Sequence, residues 1–272
     1  MKKWLVSVAV VFVCLTAVHA DVTVVQTMKM EGAAAQAMGG APMPRITMRI
    51  KGQKSRAEID TNGQVVTSIV DLAARQVIVL NSTTKTATVT TPASVAAGGA
   101  PVAMPKMDIS LKPTGKTQTI DGQQCEEHVM AMSMAMAQFM GQGQVPPEAA
   151  AMMQDVKMVM DGSVWIARSA PGAAEFTAFN KAAINSNLLN SVAGLMGGKS
   201  GGLDKLMEAA AAAPGLPYLT EITMSFEGTG PMVDAMKQMG PMKMIQTLAS
   251  VSTDPIADDL FTIPAGYTVE KK

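Results

Sequence analysis

Apolar and polar residues alternate with a period of two along much of this chain, the spacing that puts every second side chain on one face of a β-strand. From Arg45 to Lys51, Ile46, Met48 and Ile50 alternate with Arg45, Thr47, Arg49 and Lys51. From Lys106 to Lys112, Met107, Ile109 and Leu111 alternate with polar residues, and from Glu221 to Glu227 so do Ile222, Met224 and Phe226. Such half-apolar runs predict antiparallel strands. Asp60-Thr61-Asn62-Gly63 and Asp121-Gly122 lie between alternating runs, where a tight turn needs the positive φ that Gly and Asn adopt at least cost. The first half thus reads as a meander, with strands near 22–31, 45–51, 53–59, 64–71, 75–80, 84–90, 106–112, 115–121 and 123–136.

A different period appears later. After Pro171-Gly172, the residues Phe176, Phe179, Ala183, Leu188 and Val192 recur near 3.6 and Gly194 closes the run, which predicts a helix. A second helix is expected over Leu203–Ala213, ending at Pro214. Ala-, Gly- and Met-rich stretches near 32–44, 92–105 and 137–154 read as insertions between strands. With no repeat and no polar linker, residues 21–272 read as a single β-rich domain.

The first twenty residues follow another pattern. Lys2 and Lys3 precede an apolar run from Trp4 to Ala17, and Val18 and Ala20 flank a peptidase site, so 1–20 read as a cleavable secretory signal peptide. The run is shorter than the roughly 20 apolar residues a membrane span needs. The mature chain is expected to begin near Asp21 and to work in the periplasm or outside the cell. Cleavage leaves one cysteine, Cys125, and one histidine, His128, so no internal disulfide is available and a packed core must supply the stability. Acidic residues then outnumber basic ones by two. Without a basic stripe, and with aromatic residues at 4%, nucleic acid is not an expected partner. Charged residues at 16% and a mean hydropathy of +0.20 point to apolar contacts instead.

Candidate chemistry is sparse. Ala193 to Ser200 resembles a relaxed phosphate-binding loop, but helical sequence precedes it where that loop needs a strand; it reads as a glycine-rich link. In a strand, Cys125 and His128 fall on opposite faces, which denies a thiolate–imidazole pair and a shared metal. No Gly-x-Ser-x-Gly elbow occurs, and no enzyme activity or cofactor is expected. The unusual component is methionine, 25 in all. Met130, Met132, Met134 and Met136 follow Glu126 and His128 at even positions, and Met158 with Met160, Met28 with Met30, and Met242 with Met244 repeat the spacing. Three readings stay open: core filling, an adaptable apolar surface, or soft thioether ligands that join an imidazole on Cu(I).

Thr114–Glu127, Val164-Trp165-Ile166-Ala167 and Phe261-Thr262-Ile263-Pro264-Ala265-Gly266-Tyr267, with Lys51–Arg56 and Ile69–Leu72, resemble an exported bacterial family, domain of unknown function 4412. That family is similar to the LolA and LppX type of lipoprotein carrier. The resemblance implies an α+β fold: a strongly curved antiparallel sheet, an unclosed half-barrel, with two to three helices covering its concave face and acyl chains held there. It implies no catalytic residues. The expected function is an exported, non-catalytic carrier of an apolar ligand, a lipid or lipoprotein acyl chain, with transient contact to a membrane or envelope protein. Ile46, Met48, Ile50, Met130, Met132, Met134, Met158 and Met160 are the expected lining. The alternatives are a Cu(I) site of His128 with Met130 or Met132, and a structural or interaction domain without a ligand.

Overall fold

The computed structural model describes residues 21–32, 43–92, 107–135, 155–186, 188, 208–209, 211–238 and 240–271. Twelve strands form one open sheet: β1 (Val22–Glu31), β2 (Arg45–Lys51), β3 (Lys54–Thr61), β4 (Gln64–Asp71), β5 (Gln76–Asn81), β6 (Thr86–Thr90), β7 (Met107–Ile120), β8 (Gln123–Ala135), β9 (Lys157–Ala167), β10 (Leu216–Glu227), β11 (Met242–Ser252) and β12 (Thr268–Lys271). Across the sheet they run β12-β6-β5-β4-β3-β2-β1-β11-β10-β9-β8-β7. Every neighbouring pair is antiparallel except β12 with β6. Two local meanders, β2 to β6 and β7 to β11, thus meet at β1, which pairs with both β2 and β11.

Local chemistry explains the tight connections. Thr61 pairs with Gln64 and Ile120 with Gln123. The two residues between each pair, Asn62-Gly63 and Asp121-Gly122, all take positive φ of 48 to 83°. Such loops match the right-handed twist of the strands they join. The strands expected at 106–112 and 115–121 are one strand, β7, whose register shifts between Pro113 and Thr117. Pro113 has no N–H to give, which an edge strand tolerates.

This architecture corrects the expectation of an α+β molecule with two to three helices over a concave face. The described residues hold twelve strands but only two α-helices, α1 (Ala173–Asn185) and α2 (Pro231–Gln238), and one 3-10 turn, η1 (Asp258–Phe261). The physical reason lies in where the 3.6 period stops. α1 closes at Asn185, where Ser186 donates its hydroxyl to the Ala183 carbonyl at 2.7 Å and accepts from the Leu188 N–H. In the second half the long alternating runs dominate, giving strands of 11, 12 and 11 residues in β9, β10 and β11. Of the helix expected over Leu203–Ala213, Glu208, Ala209, Ala211 and Ala212 are helical, while 203–207 and 210 lie outside the described residues, as do the signal segment 1–20 and the glycine-rich Ala193–Ser200. No described helix is long and apolar enough to cross a membrane.

Two cores hold opposite faces of the sheet. On one, Phe179 and Ala183 of α1 pack with Val22, Val24, Ile50, Leu72 and Val77, and Leu216 and Tyr218 join them where β10 bulges. On the other, Ile69, Ile78, Leu80 and Ala87 are covered by the chain after β11, through Ile256, Leu260, Phe261, Ile263 and Tyr267. Lys51 anchors that chain by donating to the Ile256 carbonyl at 2.6 Å and pairing with Asp258 at 2.9 Å, and Arg56 by donating to the Leu260 carbonyl at 2.7 Å. A third, small core joins Val233 and Met236 of α2 to Val156 and Phe226.

Candidate functional site

Residues opposite one another in a ladder share a face, so the register converts the methionine spacing into a surface. One row runs Met30, Met244, Ile222, Gly162, Met130, Leu111 across six strands from β1 to β7. The next runs Met242, Met224, Met160, Met132, Ile109. A third holds Phe226, Met158 and Met134. Met134 and Met160 are buried, while Met28, Met30, Met130, Met132, Met158, Met224, Met242 and Met244 are half-buried.

The same face continues into the first meander. Val24, Met48, Ala57, Ser68 and Val79 form one row, and Gln26, Ile46, Ile59 and Val66 another. Ile59, Val66 and Val79 are 44%, 49% and 40% exposed, large apolar side chains left in water. Toward one end, α1 covers Val22, Val24 and Ile50; toward the other, α2 packs on Phe226. The methionine rows lie between. Within the face, Gln246 donates from Nε2 to Gln26 Oε1 at 2.8 Å. The reverse side of the same strands carries polar pairs, Lys29 with Glu31 and Lys243 with Glu221, each at 2.6 Å, and Thr27 with Thr247 at 3.1 Å, with Val129 exposed among them.

All eight residues expected to line a ligand site fall on this one face, in two groups with different roles. Met130, Met132, Met134, Met158 and Met160 belong to the methionine rows on β8 and β9. Ile46, Met48 and Ile50 lie on β2, five inter-strand steps from β8, about 24 Å along the sheet. Ile50 is fully buried beneath α1 and Met48 packs against the same core, so these two are packing residues, whereas Ile46 borders the exposed patch. Sequence reading left out of the lining Met28, Met30, Ile222, Met224, Phe226, Met242 and Met244. Their alternation signalled it, but only the register shows that they join the methionines of β8 and β9.

Cys125 and His128 lie three residues apart on β8. Cys125 is buried with Ala167, Leu216 and Tyr218 beside the β10 bulge, where burial pushes its thiol above the ordinary value, away from a reactive thiolate. His128 lies one row beyond Met130 and pairs with Val164. Among the described residues no three His, Cys, Asp or Glu side chains cluster.

No family model matches the sequence, and no curated protein does. Among solved structures, the crystal structure of an uncharacterized conserved protein from Thermus thermophilus is similar, with 8% identity and a TM-score of 0.37, over 94% of this chain and 92% of that chain. A likeness that slight bears on neither fold nor function.

Proposed function

We propose that this protein is an exported, non-catalytic binding module that carries an acyl chain of a lipid or lipoprotein on its methionine face. One observation carries the reading: strands distant in sequence place their thioethers in consecutive rows on a single face, continuous with exposed Ile59, Val66 and Val79. Core filling alone would not leave large apolar groups of that face in water, and contiguous exposed apolar surface marks a place where something binds. The occupant is a flexible chain because the surface is itself adaptable. Unbranched thioethers reshape around varied apolar groups, and the polar residues inside the face, Gln26 and Gln246, bond each other. Affinity then comes from dispersion and exclusion of water. The charged start, apolar run and small residues of 1–20 support export, and the resemblance of Thr114–Glu127 and Phe261–Tyr267 to an exported family agrees with it.

The test is native mass spectrometry of the protein purified from the envelope of the cells that make it. A mass beginning at Asp21 and an added lipid mass that organic extraction removes are expected. A clean ligand-free mass, together with no binding of an apolar fluorescent dye, would overturn the carrier reading. A mass that retains residues 1–20 would overturn export.

A further inference from the structure

His128 is only 2% exposed, and its hydrogen bonding is one-sided. Nδ1 lies 3.4 Å from the carbonyl oxygen of Glu126 on its own strand, and in the tautomer that donates there Nε2 carries the lone pair. Among the described residues no donor reaches Nε2. Buried polar atoms are nearly always paired, so a bare imidazole lone pair needs an explanation.

Its neighbour on the same face supplies one. Met130 stands two residues along β8, about 7 Å away at the usual strand rise, within the combined reach of an imidazole and a thioether that share one ion. The ladder partner of Met130 is Gly162, where a Cβ would meet the Glu221 carbonyl oxygen at 1.9 Å. No side chain therefore stands opposite Met130 on β9, and Met130 is half-buried rather than sealed in. Met132, about 14 Å from His128 along the strand, is too far to share the same ion. Glu126, the acid on this face of β8, is held by Arg168 at 2.7 Å, which leaves no free carboxylate for a hard cation. An imidazole nitrogen beside a thioether is a donor set that suits a soft monovalent ion.

We infer that His128, through Nε2, and Met130, through Sδ, form a two-coordinate Cu(I) site at the margin of the methionine face. The site shares Met130 with the methionine face, yet the failure of either reading leaves the other standing. Anaerobic titration of the full chain with Cu(I), against a chromogenic chelator, should withdraw one equivalent, with one nitrogen and one sulfur neighbour in X-ray absorption. Met130→Leu, which keeps apolar bulk, should abolish the one-equivalent complex while leaving the circular dichroism of the sheet unchanged. His128→Gln should do the same. The absence of a complex in the unaltered chain overturns the site, and so does a complex that survives both substitutions.

Discussion

Glu58 accepts a hydrogen bond from Arg56 Nε at 2.9 Å and pairs with Arg56 Nη2 at 2.8 Å; Arg49 Nη1 holds its other oxygen. Burial alone would raise its carboxyl, but the two guanidiniums outweigh burial and hold it below the ordinary glutamate value. A carboxyl lowered in the folded state stabilises the fold above its unfolded value, and that stability is lost as pH falls through the folded value. Glu58→Gln is therefore expected to lower stability at neutral pH by about 1 to 3 kcal/mol, the range for hydrogen bonds to charged groups. In urea unfolding the gap from the unaltered protein should narrow as the pH drops through the acid range. A gap constant down to strongly acidic pH would show that the arginines do not act through the carboxylate.

Among elements, the segment after β11 does the most with the fewest residues. Ile256 to Tyr267 has little regular structure beyond η1, yet it seals Ile69, Ile78, Leu80 and Ala87, and Thr268 N–H then bonds Lys85 O at 2.8 Å to start β12. That gives Phe261–Tyr267, a distinctive run in the sequence, a structural role, since it straps one side of the first meander. Phe261→Ala should cost about 3 to 5 kcal/mol, as for other buried aromatic truncations. Amides of β5 and β6 should lose hydrogen-exchange protection first. Loss that begins in β8 and β9 would contradict the strap. The strap lies on the side of the sheet opposite the methionine rows: Ile50 and Val70, on the methionine side, alternate along their strands with Arg49 and Ile69. Damage to it should therefore spare apolar binding until the whole sheet yields.

At the scale of the molecule, alternation and turn residues made the first meander legible, because both are local: Asn62-Gly63 and Asp121-Gly122 mark hairpins whoever their neighbours are. The face each methionine occupies was legible for the same reason. What stayed hidden depends on partners remote in sequence. Nothing within Met242–Ser252 announces that it docks beside Val22–Glu31, so neither the order of the sheet nor the alignment of Met30, Met244, Ile222 and Met130 was readable. If the aligned rows bind an acyl chain, Met224→Lys, which sets a charge amid them, should weaken apolar-dye binding by about tenfold or more, the factor that about 1.4 kcal/mol of unfavourable desolvation produces. Binding unchanged in a folded Met224→Lys protein would move the ligand elsewhere.

The pairing of β1 with β11 also sets a timetable. Gln26 and Gln246 touch although 220 residues separate them, and contacts between such distant positions form slowly because the intervening loop must first close. During synthesis the opening strand is made first, yet one of its flanks stays bare until nearly the whole polypeptide has been produced. The molecule is thus built to remain unfinished until late, with its earliest segment waiting on one of its last.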